Sequence, residues 1–294
     1  MRLIKKILLT LSLNMAANNI LEIKNLTVFP DKNKKNILVN DVSFSLERGK
    51  LTCIVGESGS GKSLTALSII KLLSSQLKFD GIINFENNDL SQFNEKKLRE
   101  YRGKEISMIF QDPMTSLNPV FTVGYQVAEA LHAHNHMSKS EARKIVEQTF
   151  QDVGIPSDRY ESYPDELSGG QRQRVMIAMA IINKPKLLIA DEPTTALDVT
   201  VQKQVLNLIQ DLQKKYQMTV LFITHDFGVV EDIADQVLVM YQGRIVEQGK
   251  ANSIIRHPKH PYTKALLQCI PSIHSKKVLK PIDYKWLKTE MEKL

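Results

Sequence analysis

The chain has little cysteine and few long apolar runs. It contains only Cys53 and Cys269, so a disulfide framework is excluded. Cys53 lies inside an apolar run, where we expect a small buried hydrophobe in a reducing compartment. The apolar stretch Ile7–Leu13 is far shorter than the roughly 20 residues that a membrane-spanning helix needs. No other segment is long enough to span a membrane, so the sequence predicts a chain that is soluble or peripheral to a membrane. No internal repeat is visible, which predicts one functional unit.

A continuous basic surface is also lacking. The net charge is +7, but residues 1–14 carry +3 and residues 256–294 carry +6, which leaves −2 for residues 15–255. A nearly neutral body offers no basic groove, so nucleic acid is not expected as a partner. The basic ends allow two interpretations, attraction to an anionic membrane surface or an ordinary solvated charge. The hydrophobic content of 43% is enough for one large or two small cores.

What the chain does have is a phosphate-binding loop. The run Gly56-Glu57-Ser58-Gly59-Ser60-Gly61-Lys62-Ser63, followed by Leu64, fits G-x-x-x-x-G-K-[ST] and follows the apolar stretch Leu51–Val55. Glycines let backbone N–H groups close around phosphate oxygens. We expect Lys62 to reach the β- and γ-phosphates, Ser63 to bind Mg²⁺, and the following helix to point its positive end at the anion.

Two carboxylates follow another apolar run. Leu188–Ala190 predicts a buried strand, and acids at its end are costly unless they bind metal or perform chemistry. We expect Asp191 to hold Mg²⁺ and Glu192 to polarise the attacking water as a general base. His225 lies at the end of the apolar run Val220–Ile223, where either a ligand contact or a structural histidine is consistent with the pattern.

Apolar periodicity predicts an α/β fold with a mostly parallel sheet. Strands are predicted at Ile20–Val28, Val42–Leu46, Ile82–Phe85, Ile106–Phe110, Leu187–Ala190, Val220–Thr224 and Val237–Tyr241, with Ile82–Phe85 and Ile106–Phe110 continuing the sheet. Helices are predicted at Leu64–Leu73, Val127–Leu131, Lys139–Val153, Arg172–Ile182 and Val201–Tyr216. The stretch from Gln111 to about residue 174 has helical spacing and few strand signals.

A further segment, Ser168-Gly169-Gly170-Gln171, lies between the phosphate loop and the Asp-Glu pair. This combination resembles the ABC-type ATPases. The resemblance implies a P-loop ATPase with a RecA-like, mostly parallel sheet core, an antiparallel β subdomain, an inserted helical subdomain at about 112–175 and a short C-terminal extension. It also implies that Ser168, Gly169, Gly170 and Gln171 contact ATP bound by a second chain.

The same resemblance assigns further roles. It implies that Gln111 senses the γ-phosphate, assists Mg²⁺ binding and touches a membrane partner. It implies that Ala196-Leu197-Asp198 forms a loop across the dimer and that His225 contacts the γ-phosphate. It places an aromatic near Phe29 to stack on adenine, although a core phenylalanine fits equally well. Without the family, Gln111 would be an ordinary polar residue at a strand end.

A histidine cluster and the chain start leave alternatives open. His132 and His136 are four residues apart and could share a helix face with His134 nearby, either as metal ligands or as a hydrated helix end. Residues 1–14 resemble a short leader, but Met15 reads directly into the first strand and is a plausible translation start. The expected division is therefore 1–14, an ATPase domain at 15–255 and an extension at 256–294.

The segment His260-Pro261-Tyr262-Thr263-Lys264-Ala265-Leu266-Leu267 resembles the C-terminal extension of dipeptide and oligopeptide importer ATPases. Phe110–Pro119 and Asp191–Gln202 resemble the first of the two ATPases in such systems. This implies a second ATPase subunit, two membrane permeases and a separate solute-binding protein at the cytoplasmic face of the membrane. Importers of nickel, metallophores or glutathione are alternatives, and a non-transport ATPase acting on nucleic acid or ribosomes is a more distant one.

Overall fold

The computed structural model describes residues 18–111, 116–195, 197–269 and 284–291. The strands are β1 (Asn19–Pro30), β2 (Val39–Glu47), β3 (Leu51–Val55), β4 (Leu77–Phe85), β5 (Asn88–Asp89), β6 (Ile106–Ile109), β7 (Leu187–Asp191), β8 (Thr219–Thr224), β9 (Gln236–Tyr241) and β10 (Arg244–Lys250). The α-helices are α1 (Lys62–Ile69), α2 (Glu95–Tyr101), α3 (Val123–His132), α4 (Lys139–Asp152), α5 (Gly169–Ile181), α6 (Val199–Tyr216), α7 (Phe227–Ile233), α8 (Ala251–Arg256), α9 (Pro261–Gln268) and α10 (Tyr284–Met291).

Some of the sequence predictions concern residues outside the described ranges. The leader at residues 1–14, the start at Met15 and Ala196 of the cross-dimer loop lie outside the described residues. So do residues 112–115, which follow Gln111.

The larger sheet brings strand ends together. Its six strands follow the order β10-β9-β3-β8-β7-β6, and every residue of β3, β7 and β8 is buried. Apolar strands without alternation suit a parallel sheet that is covered on both faces. The register pairs Val55 with Thr224 and Asp191 with Ile223, so the carboxyl ends of these strands lie at one edge. Open α/β sheets bind ligands at that edge.

The smaller sheet is antiparallel, with strand order β2-β1-β4-β5. The sequence interpretation that Ile82–Phe85 continues the same sheet as Ile106–Phe110 was wrong, because β4 pairs with β1 instead. The reason is the period-two pattern in β4. Ile82 is 47% exposed, whereas Ile83 is fully buried, which is typical of an antiparallel strand with one covered face.

Helices α3, α4 and α5 fill the segment between β6 and β7 and pack against one another. The sequence placed the start of the last helix at Arg172, but α5 begins at Gly169. Ser168 is the N-cap. Its Oγ accepts the Gln171 N–H at 3.3 Å, and Gln171 Oε1 accepts the Ser168 N–H at 3.0 Å. This capping box draws both glycines into the first turn.

Burial confirms one prediction about the core. Cys53 in β3 is fully buried, and burial raises the pKa of its thiol, with Asp235 acting in the same direction. Within the described ranges, no helix combines the length and the apolar character needed to cross a membrane.

The chain after the β9–β10 hairpin packs back onto the main core. Gly243 forms the hairpin turn, with a φ of 77°. Tyr262 of α9 is fully buried, and Leu287 of α10 is 1% exposed. Both side chains belong to the core cluster that also contains β3, β7 and β8 residues. The C-terminal helices are therefore held against the larger sheet by apolar contacts.

Candidate functional site

The loop between β3 and α1 borders a small cavity. Gly56 has to be a glycine, because a Cβ there would lie 2.1 Å from the carbonyl oxygen of Met240. Gly61 is the N-cap of α1 and has a φ of 104°, in the left-handed region that favours glycine. The cavity measures about 190 Å³, and its lining residues are Leu38, Ser58, Gly59, Gly61, Lys62, Ser63, Leu64, Gln111 and Glu192.

The loop fits a phosphate chain on its own geometry. Ser60 is 6% exposed, and its Oγ has no hydrogen-bond partner within the described ranges. The helix α1 begins directly at the cavity, so its positive end adds to the attraction for an anion. Glu57, the second residue of the loop, contacts the C-terminal helices through its backbone and side chain.

Lys62 is the buried cation of this cavity. It is 4% exposed, and its Nζ donates hydrogen bonds of 2.8 Å to the carbonyl oxygens of Gly56 and Glu57. Burial lowers the pKa of Lys62, and the carboxylates of Glu192, Asp191 and Glu57 oppose that shift. The ammonium is therefore held rigidly beside the loop, next to the carboxyl ends of β3 and β7.

Ser63 and Asp191 form a pair of oxygen ligands. Ser63 Oγ donates to Asp191 Oδ1 at 3.0 Å, although the two residues lie on different elements. Asp191 is 5% exposed; burial raises the pKa of its carboxyl group, while the Ser63 hydrogen bond lowers it and Glu192 raises it further. Hydroxyl and carboxylate oxygens are the donors that Mg²⁺ prefers, so this pair fits the ion chemically.

Glu192 occupies a strained backbone position just after β7. Its φ of 47° is unusual for a residue other than glycine, and its N–H donates to the carbonyl oxygen of Ile223 at 3.0 Å. Strain of this kind persists only where the surrounding structure holds it in place, and it clusters at functional sites. The backbone bond to β8 is one such restraint.

The carboxylate of Glu192 is oriented by three side chains. Its Oε2 accepts hydrogen bonds from Gln111 Nε2 at 3.1 Å and from Thr195 Oγ1 at 3.0 Å, and it lies 3.3 Å from His225 Nδ1. The Glu192 side chain is 11% exposed, whereas that of His225 is 58% exposed. Residues predicted from three separate strand ends thus meet at one carboxylate oxygen.

Sequence reasoning missed two residues of this site. Thr195 was signalled only by its place three residues after Glu192, where its N–H closes a turn on the Glu192 carbonyl oxygen at 3.2 Å. Leu38, which lines the cavity, had no signal in the sequence, because it belongs to the segment before β2.

The Ser168–Gln171 segment does not belong to the lining of this cavity. Ser168 and Gly169 are exposed, and a Cβ at Gly169 would meet nothing within 4 Å. At Gly170 a Cβ would lie 2.9 Å from Val201 Cγ1, so that side of the segment packs on α6. Over the described parts of the chain, no hydrogen bond or ion pair joins this segment to a residue that lines the cavity.

Asp198 caps the helix that supports this segment. Its Oδ1 accepts the Val201 N–H at 2.9 Å, and Asp198 is the N-cap of α6. Val199, the next residue, is 83% exposed.

Phe29 lies away from the cavity lining. It is 4% exposed at the end of β1, and the ammonium of Lys34 lies 5.0 Å from the centroid of its ring. Its stacking role therefore stays a prediction.

The three histidines lie around the end of α3. His132 is its last helical residue, and His134 Nε2 lies 3.1 Å from the position that a Cβ of Gly103 would take. In the parts of the chain that are described, no group of three or more metal-ligating side chains occurs.

Comparison with known families identifies two matching regions. The family described as "ABC transporter" matches residues 39–195, which include the phosphate loop and Glu192. The family described as "Oligopeptide/dipeptide transporter, C-terminal region" matches residues 246–288, which include α8 and α9. The second match covers the segment that packs back onto the core.

Two curated relatives span most of the chain. The glutathione import ATP-binding protein GsiA of Escherichia coli (strain K12) is 49% identical over 278 residues, which are 91% of this chain and 44% of GsiA. The oligopeptide transport ATP-binding protein OppD of Bacillus subtilis (strain 168) is 50% identical over 261 residues, which are 87% of this chain and 73% of OppD. The chain thus spans less than half the length of GsiA.

Solved structures agree with the fold. CbiO1 from Clostridium perfringens, part of the ABC transporter complex CbiONQ, matches with a TM-score of 0.71 and 29% identity over 82% of this chain and 92% of CbiO1. A dimeric, post-hydrolysis structure of the ATP-binding cassette MJ0796 bound to ADP and Pi matches with a TM-score of 0.69 and 28% identity, over 79% of this chain and 98% of that cassette. This chain therefore belongs to the ABC transporter family, among the ATP-binding proteins of the oligopeptide and dipeptide type.

Proposed function

We propose that this chain is the ATP-hydrolysing subunit of an ABC importer that drives uptake of di- and oligopeptides across the cytoplasmic membrane. The observation that carries the ATP-hydrolysing part of this proposal is the meeting of Gln111, Thr195 and His225 at one oxygen of Glu192, beside the cavity of the phosphate loop. A carboxylate held by three partners next to a buried lysine suits a group that takes a proton from water.

ATP binding would place the phosphate chain along the glycine loop. Lys62 supplies a point charge to the β- and γ-phosphates, and the α1 N-terminus adds its dipole. Ser63 and Asp191 would hold Mg²⁺, with Gln111 nearby; Mg²⁺, when bound, neutralises charge on the phosphate oxygens. Asp191 and Lys62 are both nearly buried, so their charges act in an environment that screens them weakly.

Hydrolysis would then use Glu192 as the general base. Glu192 accepts a proton from water while the water oxygen bonds to the γ-phosphorus, and ADP leaves with the electron pair of the broken P–O bond. His225 and Gln111 lie close enough to Glu192 to contact the γ-phosphate and the same water. Thr195 keeps the carboxylate pointing towards them.

The second half of the site would come from another chain. Ser168 and Gly169 are exposed with open space in front of the glycine, so a second ATPase subunit could approach them closely. In the dimer, Ser168, Gly169, Gly170 and Gln171 would contact the γ-phosphate bound by the partner, and Asp198 would lie at the interface. ATP binding drives closure only through its preference for the closed pair.

A membrane permease would dock on the apolar surface beside Gln111. Phe110, Val120, Phe121 and Tyr125 are all large and at least 44% exposed, and the rings of Phe121 and Tyr125 stack at 5.1 Å. Of these residues, Phe110 lines a cavity of about 250 Å³ together with Met108, Met176 and Met179. Methionine-rich surfaces adapt to an inserted helix. We propose a cytoplasmic helix of a permease as the occupant.

The solute rests on resemblance alone. The ATPase does not bind the solute itself, since a separate solute-binding protein and two permeases would select it. Peptides are favoured by the C-terminal match and by OppD, whereas GsiA favours glutathione, which is itself a small peptide. Nickel and metallophores are the remaining importer alternatives.

The test is to tag Glu192→Gln in its own cells and identify the proteins that co-purify from membranes solubilised in mild detergent with ATP. Two multi-span permeases and a second ATPase are expected, because a chain that retains ATP should stay in the closed pair. The matched control adds Lys62→Ala, which weakens nucleotide binding and should release the second ATPase. Recovery of the tagged chain with ribosomes or nucleic acid would contradict the importer and support a non-transport ATPase.

A further inference from the structure

The second residue of the phosphate loop is held from outside the loop. Lys62 Nζ donates to the Gly56 carbonyl oxygen at 2.8 Å, and the Glu57 N–H donates to the hydroxyl oxygen of Tyr262 at 3.1 Å. These two groups are the opposite ends of one peptide unit, because Gly56 supplies its C=O and Glu57 its N–H. The plane of that peptide is therefore fixed between the buried lysine and a tyrosine of α9.

Tyr262 is itself held in place by the sheet. It is fully buried, and its ring centroid lies 4.2 Å from that of Tyr241, the last residue of β9. Its N–H donates to His260 Nδ1 at 3.2 Å, and the N–H of His260 donates to Glu247 at 3.0 Å. A tyrosine hydroxyl is neutral at physiological pH, and burial raises the pKa of Tyr262 further. The hydroxyl thus has a fixed position and a fixed protonation state.

A second tyrosine binds the side chain of the same loop residue. Tyr284 of α10 donates from its hydroxyl to Glu57 Oε1 at 2.6 Å. The hydrogen bond to Glu57 is the main cause that raises the pKa of Tyr284 to about 12, with burial second. Leu287, one turn further along α10, is 1% exposed and anchors the helix to the core. Two separate helices of the C-terminal segment therefore converge on Glu57.

We propose that Tyr262 is a positioning residue that sets the nucleotide affinity of the phosphate loop, and that Tyr284 supports it through the Glu57 carboxylate. This inference rests on the ATPase function proposed above and assigns a task to the C-terminal segment within the same chain. Without the Tyr262 hydroxyl, the Glu57 N–H loses its partner at a partly buried position, and such a group is costly to leave unpaired. The loop would gain other conformations, which phosphate binding would have to exclude.

The inference predicts a change in KM and not in kcat. Tyr262 touches neither Glu192 nor His225 in the hydrogen-bond network, so the chemical step at saturating ATP should change by less than about twofold. The KM for ATP should rise about 3- to 10-fold, and so should the Kd of a fluorescent ATP analogue measured in the presence of Mg²⁺. An increase of this size corresponds to one lost hydrogen bond.

The experiment uses the full chain and three tyrosine-to-phenylalanine variants. Tyr262→Phe removes the hydroxyl and keeps the buried ring, Tyr284→Phe removes the side-chain bond, and Tyr101→Phe is the matched control. Tyr101 packs on Phe85 and Phe93, and none of the three belongs to the phosphate loop or lines its cavity. Analogue affinity, ATPase kinetics and hydrogen exchange of peptides covering residues 51–63 are measured for each.

KM and Kd should increase most in Tyr262→Phe and about twofold in Tyr284→Phe. In Tyr101→Phe both constants should equal those of the original chain. Faster amide exchange should appear in the loop peptide of Tyr262→Phe and not in peptides from α5. If the original chain binds the analogue and Tyr262→Phe binds it equally well, the inference is overturned while the ATPase stands. If the original chain binds no analogue, the proposed function itself fails, and this inference fails with it.

Discussion

The phosphate loop and the Ser168–Gln171 segment carry the two strongest sequence signals, yet their surroundings differ. The loop lies beside a cavity with a buried lysine, a buried aspartate and an oriented glutamate from the same chain. The Ser168–Gln171 segment is exposed at Ser168 and Gly169, and the side chains of Ser168 and Gln171 each accept the backbone N–H of the other residue. One region brings charged side chains of this chain together, and the other presents exposed backbone to solvent. This difference is what the proposed ATP site shared between two chains requires.

The largest effect should come from the oriented carboxylate. Glu192→Gln keeps the size of the side chain and the bonds from Thr195 and Gln111, but it removes the base. We expect ATP turnover to fall by about 10²- to 10⁴-fold with nucleotide binding retained. Steady-state phosphate release and analogue affinity, measured with the partner ATPase present, check this. Normal turnover would remove Glu192 from its proposed role.

The next largest effect should come from the exposed Ser168–Gln171 segment. Gly169→Asp should fold, because a Cβ at Gly169 meets nothing within 4 Å and an acid in the first turn suits the α5 dipole. It should repel the partner's γ-phosphate and lower turnover by about 10²- to 10³-fold, the cost of losing backbone donors at developing charge. Analogue affinity of the isolated chain should be unchanged. Reduced affinity in the isolated chain would place this segment in its own site.

A smaller effect should come from Thr195, one of the two site residues that sequence reasoning missed. Thr195→Val is nearly isosteric and removes one hydrogen bond to a charged carboxylate, which is typically worth about 1.5–3 kcal/mol. Part of that energy should appear as misorientation of Glu192, so kcat should fall about 3- to 10-fold, with KM unchanged. A higher KM for ATP with kcat unchanged would indicate that Thr195 supports the loop and not the base.

The smallest effect concerns stability and pH. Burial raises the pKa of Asp191, so the folded state resists ionisation, and stability in the absence of Mg²⁺ should decrease as pH rises from the ordinary aspartate pKa to the raised one. Asp191→Asn cannot ionise and should not show this decrease. At neutral pH without Mg²⁺ its melting midpoint should lie above that of the original chain. Equal pH profiles for both chains in thermal unfolding would contradict the assigned cause.

Sequence reasoning predicted that Lys62, Asp191 and His225 would lie together, because they stand at the ends of strands or in the loop that follows one. They follow buried apolar runs, and parallel pairing then brings those ends together without further information. It failed where the cause was local. The β4 pairing depends on alternation within a short strand, and the start of α5 depends on the Ser168–Gln171 capping box.

Contacts across long sequence separations were also invisible. The bond from Glu57 to Tyr262 joins residues 205 positions apart, and that to Tyr284 joins residues 227 positions apart. Neither tyrosine carries a pattern that points to the phosphate loop. Thr195 was likewise an ordinary turn residue until the fold placed its hydroxyl at the Glu192 carboxylate.

The most direct test of the shared site is the mass of the ATP-bound particle in solution. Glu192→Gln is mixed with the ATPase subunit that co-purifies with it, and light scattering records the mass with and without Mg²⁺ and ATP. We predict that ATP converts single cassettes into a particle of two, and that adding Gly169→Asp to Glu192→Gln prevents this. The shared site would be contradicted by a single-cassette particle that binds ATP, if the original chain also hydrolyses ATP at the same rate with and without its partner.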